Sequence, residues 1–309
     1  MGGGGFIGTH LVRELLASGR REILVTGRSP CPKFPLPDGV AYTSCDISNL
    51  AQIQGLLEGR DEVIDLAYSS VPMTSYSDPL DDLVANLYPT VNLLKSASRC
   101  RLRKFLLVSS GGTVYGNPLI TPINENSPTH PISPYGITKL AAENYAHMFH
   151  HLERLPAVIA RPSNPYGPFQ FGNLGQGFIG TAIFATLQGR PVTIFGEKGT
   201  TRDYIFVQDL ARGLVSALDD GIPGEIYNIG TGTGFNNLEI LESIDCISRP
   251  AGYPVIRNIQ PDRAFDVRTN ILDSSKLHKL SGWLPRHNLD AGLALTWQWA
   301  CSKLQTGQV

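Results

Sequence analysis

The 309-residue chain is poor in whatever would tie it to a membrane, a nucleic acid or a disulfide framework. Five cysteines (Cys31, Cys45, Cys100, Cys246 and Cys301) are scattered, odd in number and without C-x-x-C spacing, so they read as unpaired thiols in a reducing cytoplasm. No apolar run reaches the roughly 18 residues of a membrane span. No basic stretch leads into an apolar core at the N-terminus, which argues against a signal peptide. The formal net charge of −1 leaves no positive excess for a nucleic-acid surface. Repeats and low-complexity tracts are absent. The expectation is a soluble, cytoplasmic protein with no nucleic acid, membrane or metal among its partners.

A strand is lacking as well. The chain opens "MGGGGFIGTHL", with glycines at Gly2, Gly5 and Gly8. Such a run normally follows a β-strand and enters a helix: one glycine for the tight turn, one for close approach to a pyrophosphate, one for helix–strand packing. The helix is there, with Phe6, Ile7, Leu11, Leu15 and Leu16 at helical spacing and Ser18-Gly19 to stop it. Only Met1 precedes the glycines. In a doubly wound sheet the first strand is central and apolar on both faces, so its absence would open a slot between two unpaired edges. Orphaned backbone groups cost roughly 1–3 kcal/mol each, against a net stability of about 5–15 kcal/mol. The expectation is a start assigned too late, with a true, poorly folded truncation as the alternative; the site itself reads as a dinucleotide site.

Further along, short β-branched runs alternate with helical patterns. Strands are expected at 21–28, 39–47, 61–68, 104–110 and 156–163, and helices near 49–58, 80–100 and 136–153. That alternation predicts an α/β fold of Rossmann type, a doubly wound parallel sheet, with a smaller C-terminal α/β domain. From residue 164 the texture turns to Gly, Pro, Asn and aromatics and reads as loop. A helix at 178–188, the strand-like "VTIFG", then "RDYIFVQDLARGLVSAL" and "EIYNIGTG" follow, and helices are expected near 237–247 and 287–304. Residues 1–165 with about 203–232 are assigned to dinucleotide binding. About 166–202 with 233–309 are assigned to the substrate.

Two motifs carry chemistry. In "SPYGITK", Tyr135 and Lys139 are four apart and share a helix face, where the ammonium would favour the phenolate and make Tyr135 a usable base. Such a pair alone occurs in many helices. "SSGGTVYG" (109–116) directly after a strand adds hydroxyls at the carboxyl end of the sheet, where open α/β sheets bind ligands.

Together with "DIS", "DLAY", "SDPL…N", "RPSNPYGP", "RDYIFVQD", "YNIGTGTG", "PDRAFDV" and "SGWLP", in this order over almost the whole chain, these motifs resemble the extended short-chain dehydrogenase/reductases. Within them the likeness is to the NAD-dependent epimerase/dehydratase family and its UDP-glucose 4-epimerase branch. The resemblance implies that Gly2, Gly5, Phe6, Ile7 and Gly8 line the cofactor pyrophosphate at a helix N-terminus. Asp46 and Ile47 would flank the adenine, and Ala67, Tyr68 and Ser109 would follow the cofactor. Tyr135 would be the base and Lys139 would bind the nicotinamide ribose. Asn164, Arg202 and Arg263 would hold the substrate diphosphate, and Asp266 its ribose.

Departures from the family pattern matter. The hydroxyl residue that usually bonds the reacting sugar oxygen is replaced by Gly111; Thr113 is the expected substitute, with Ser109 and Ser110 nearby. Gly112-Thr113 stands where sugar dehydratases carry Asp-Glu, so elimination of water is not expected. Gly27-Arg28 replaces the acid that accepts the adenosine ribose, and Arg28 could pair with a 2′-phosphate, so NADP stays open beside NAD. The resulting expectation is a nucleotide-sugar 4-epimerase with bound NAD, acting on UDP-hexoses. An NAD(P)H-dependent 4-keto-sugar reductase and a non-catalytic nucleotide-sugar-binding homologue are the alternatives. Asn270, where the family gates the sugar 2-substituent with a tyrosine, would admit acetamido sugars. A homodimer is expected through the helices near 80–100 and 136–153, whose apolar residues include Leu83, Leu87, Val91, Leu94, Leu140, Tyr145 and Met148.

Overall fold

The computed structural model describes residues 1–20, 22–172, 177–263 and 267–306. Helix α1 (Phe6–Ala17) ends at Ser18, with Gly19 in the left-handed region at φ +92°, where the sequence places its stop. The strands β1 (Leu24–Gly27) and β2 (Ala41–Ser44) pair in parallel. Helix α2 (Leu50–Leu57) is capped by the Asn49 side chain, which accepts from Ala51 N and Gln52 N. Strands β3 (Glu62–Asp65) and β4 (Lys104–Val108) are joined by a bent segment: α3 (Pro72–Ser77), α4 (Pro79–Asp82), a π-turn (Leu83–Leu87) and α5 (Tyr88–Ala97). One helix near 80–100 is expected from the sequence. Pro89 has no N–H to donate, and the ladder slips into the wider π-turn just before it.

Helix α6 (Pro134–Glu153) starts from a Ser133 cap with Pro134 in its first turn, and ends on Arg154 at φ +62°. Strand β5 (Ala157–Pro162) follows. The segment from 164, expected as loop, opens with a short strand, β6 (Asn164–Tyr166), paired in parallel with β8. Then come α7 (Phe178–Leu187), β7 (Val192–Phe195), β8 (Thr201–Phe206), α8 (Val207–Asp220) and β9 (Ile226–Ile229). The tail holds β10 (Gly234–Asn236), α9 (Asn237–Ser248), β11 (Arg257–Gln260), β12 (Thr269–Asn270), α10 (Ser275–Ser281) and α11 (Leu289–Gln305).

Strands β3, β4, β5 and β9 form a parallel sheet in that order. Their side chains alternate between two cores. Leu106, Val108, Val158 and Ala160 join Leu11 and Leu15 of α1 and Leu210, Leu214 and Leu218 of α8. Phe105, Leu107 and Ile159 join Ile53, Leu94 and Phe149 on the other face. A second unit packs β8, with β6, β10 and β12, against α7, α9 and α11 around Ile183, Phe206, Leu241 and Trp297. Leu277 of α10 and Trp283 return from the tail to the first core. The helices expected to dimerise divide their apolar residues. Leu94 is fully buried and Leu87 and Val91 pack on the core, whereas Leu83, Tyr145 and Met148 are exposed beside Leu80, Val84, Tyr88 and Leu152.

The anticipated slot is present. Met1 and Gly2 cross between β1 and β3 at their carboxyl ends: the Met1 ammonium donates to Ile64 O (2.6 Å), Leu66 N to Met1 O (3.1 Å) and Gly2 N to Thr26 O (2.8 Å). Below this bridge a cavity of about 590 Å³ separates the two edges, lined by apolar Leu11, Val12, Leu15, Val25, Val63 and Ile64.

Candidate active site

A cavity of about 1380 Å³ opens at the carboxyl ends of the parallel strands and runs across to the second unit. One end is formed by Gly2, Gly5, Phe6, Ile7 and Gly8, then Arg28 beyond β1, Asp46 and Ile47 beyond β2, and Ala67 and Tyr68 beyond β3. Gly8 packs so closely on the turn that a Cβ there would stand 2.5 Å from Gly3 Cα and O. Gly5 caps α1 without a side chain, so the helix N-terminus faces the cavity with no competing cap, a ready anion site. Asp46 is held below the usual carboxylate range, first by the Ser48 N–H and hydroxyl and then by the Arg28 charge. These residues fit a dinucleotide: open amides for a pyrophosphate, and a carboxylate beside an arginine at the adenosine end.

Tyr135 and Lys139 lie one turn apart on α6 and both line the cavity. The expectation that Lys139 depresses the Tyr135 pKa does not hold in this geometry. Lys139 Nζ donates to Val108 O (2.9 Å) and sits 4.1 Å from the Tyr68 ring centroid but 5.9 Å from that of Tyr135. Burial pushes Tyr135 up to about 12, against the Ser110 hydroxyl, whose hydrogen bond favours the phenolate. Burial likewise lowers Lys139 to about 8, opposed by Asp65, Glu143 and Asp82.

The loop after β4 divides its hydroxyls by role. Ser109 donates to buried Glu143, while Ser110 reaches Tyr135. Thr113 lines the same cavity, and its buried Oγ1 has no hydrogen-bond partner. Gly111 does not line it: a Cβ there would meet Leu272 Cδ1 at 2.5 Å and the Arg161 carbonyl at 3.0 Å, so a side chain at that position would have to displace Leu272 and press on the main chain. Asn164 does line the cavity, against Gly112. Asn270 is a correction. It is 1 % exposed, lies behind the loop and donates through Nδ2 to Gly111 O (3.0 Å), so it is a strut and not a wall of the sugar pocket.

At the far end Arg202 and Arg263 line the cavity with Thr193, Phe195, Thr200 and Asn237; the Arg263 guanidinium lies 3.8 Å from the Phe195 ring centroid. Asp266 lies outside the described residues. Sequence reasoning missed Ser163, which is 4 % exposed, unpartnered at Oγ and on the cavity wall between Pro162 and Asn164. It also missed the network beneath the loop. Arg161 donates to Glu143 Oε1 (3.0 Å) and to the Tyr115 hydroxyl (2.9 Å), and Tyr115 donates to Asn228 (2.8 Å). Glu143 was legible only as one more polar residue four after Lys139, since nothing in the spacing reveals that Arg161 lies opposite.

Comparison with known proteins agrees with this geometry. The model of the NAD dependent epimerase/dehydratase family matches residues 1–230. UDP-glucose 4-epimerase of Mycolicibacterium smegmatis is 34 % identical over 311 residues, covering 98 % of each chain. Among solved structures, UDP-glucose 4-epimerase of Thermotoga maritima with UDP-glucose superposes with a TM-score of 0.91 at 31 % identity, over 98 % of both chains. The Thermus thermophilus UDP-glucose 4-epimerase complex with NAD gives 0.89 at 30 %, over 97 % of both. Coverage end to end at this identity, with the cofactor cradle and the Tyr135/Lys139 pair in one cavity, leaves one conclusion: this chain belongs to the NAD dependent epimerase/dehydratase family.

Proposed function

We propose that the site is that of an NAD-dependent nucleotide-sugar 4-epimerase whose substrates are UDP-glucose and UDP-galactose. The observation that carries this reading is a single cavity holding the α1 N-terminus, Tyr135 with Lys139, and the arginine pair Arg202 and Arg263. Bound NAD supplies a reversible hydride acceptor. The glycine turn and α1 hold its pyrophosphate, and Lys139 holds its ribose. Tyr135, in the phenolate form that the Ser110 hydrogen bond favours against burial, takes the proton from the sugar 4-hydroxyl and returns it after the 4-keto sugar has turned over. Ser110 and Thr113 hold the reacting oxygen. Arg202 and Arg263 grip the diphosphate, since a guanidinium is planar and always charged. Holding the nucleotide tightly and the sugar loosely is what the turn-over requires.

Gly112 and Thr113 offer no acid for elimination of water, which separates this site from a dehydratase. The buried Asn270 removes the reason to extend the substrates to acetamido sugars. The division into a dinucleotide-binding and a substrate part, a cytoplasmic setting with its five free cysteines, and a homodimer through the exposed face of α4 to α6 belong to the same reading. Among the described residues no helix is long and apolar enough to cross a membrane.

The test is conversion of UDP-glucose to UDP-galactose by dialysed protein with no added cofactor, in wild type and Tyr135→Phe. We expect wild-type turnover, loss of at least about 10²-fold in the variant, and UDP-sugar binding unchanged. Stoichiometric oxidation of added NAD(P)H by a UDP-4-keto sugar, without interconversion of the UDP-hexoses, would replace the reading by a reductase, and neither reaction by a binding protein.

A further inference from the structure

Tyr68 lies against both Lys139 and Tyr135. Its ring face covers the Lys139 ammonium at 4.1 Å, and its edge meets the Tyr135 ring at 4.7 Å and 65°. Its hydroxyl donates a long hydrogen bond to Asp82 Oδ2 (3.5 Å). Asp82 is 1 % exposed and already accepts from Thr138 and Ser70, so the phenol is anchored at its far end and the ring is held in place.

We propose that Tyr68 is a positioning residue that keeps Lys139 cationic and aimed into the cavity, through its ring face and not its hydroxyl. This rests on the epimerase reading only for its consequence in turnover.

An aromatic face attracts a cation without accepting a proton from it. A carboxylate in the same place would hold the charge too, but would also take up the N–H groups. Here Val108 O accepts one and the ring covers another side, which leaves donor capacity for a hydroxyl in the cavity. The charges facing Lys139 are Asp65 from β3, Asp82 from α4 and Glu143 from its own helix. Tyr68 and Tyr135 face it as neutral phenols. Burial nevertheless brings the lysine down to about 8, close enough to neutrality for one further contact to decide how much of it is charged.

The experiment is competitive acetylation of Lys139 in the full chain as purified, followed by mass spectrometry across about pH 6 to 10. Wild type is compared with Tyr68→Phe, Tyr68→Leu and Tyr68→Met. The phenylalanine variant keeps the ring face and should share the wild-type midpoint. Leucine and methionine fill the space without a face, and their midpoints should fall by roughly 0.5–1.5 units. The alkaline limb of kcat/KM should move with them. Methionine serves if leucine does not fold. Coincident midpoints in all four proteins would overturn the proposal. So would a phenylalanine variant that shifts like leucine, since the hydroxyl and Asp82 would then be responsible. Labelling needs no turnover, so an inactive wild type would remove the epimerase reading and leave this one standing.

Discussion

At the residue scale, the reacting hydroxyls are chosen by room as much as by identity. A side chain at Gly111 would have to displace Leu272 Cδ1 and press on the Arg161 carbonyl. In the proposed reaction the role falls to Ser110, bonded to Tyr135, and to Thr113, whose buried Oγ1 has no partner. Thr113→Val should therefore lower kcat by roughly 10²-fold or more with little change in KM, read from steady-state kinetics. An unchanged kcat would leave Ser110 alone in the role. Beneath the loop, Glu143 and Arg161 are 1 % and 3 % exposed and each is the other's charge partner. Glu143→Gln keeps the shape and an acceptor for Ser109 but leaves the guanidinium uncompensated, a loss of about 3–5 kcal/mol. Urea unfolding should show a lower midpoint at an unchanged slope.

At the element scale, Met1 and Gly2 bridge the β1–β2 pair and the four-stranded sheet at β3. Three main-chain hydrogen bonds tie them to β1 and β3, and these set both the register and the direction, parallel to either neighbour, of anything extended upstream. Leu11, Leu15, Val25, Val63 and Ile64 line the 590 Å³ slot together with Arg20, Glu22, Arg60, Asp61 and Glu62, and an apolar segment there would bury its side chains against the first group. A chain carrying about five apolar residues ahead of Met1 should melt several degrees higher and retain more NAD after dialysis, because the same turn carries Gly2 and Gly8. Equal melting temperatures and equal NAD content in the two chains would show that the slot imposes no cost.

At the scale of the whole molecule, α4 to α6 present Leu80 (76 % exposed), Val84, Tyr88 and Leu152 (68 % exposed) on one side of the sheet. Apolar residues gathered in this way mark an interface more often than a bare surface. Sedimentation at micromolar concentration should show a dimer, and Leu152→Glu a monomer with its circular dichroism unchanged. A monomeric wild type would end the claim.

How much could be read beforehand follows from what kind of contact each feature depends on. Local spacing determined the fold class, the strand–helix alternation, the stop of α1 at Ser18-Gly19 and the presence of Tyr135 with Lys139 on one helix face, because periodicity and capping act within a few residues. Three features depend on residues far apart in the chain, and only the tertiary structure decided them. Asn270 packs behind a loop 159 residues away, so its side chain serves Gly111 and not the sugar. Tyr68 lies against both Lys139 and Tyr135, and burial, not the neighbouring ammonium, raises the tyrosine and lowers the lysine. Arg161 of β5 meets Glu143 of α6, 18 residues before it, where the helix packs on the strand, since a buried charge must find its counter-charge wherever the fold brings one within reach.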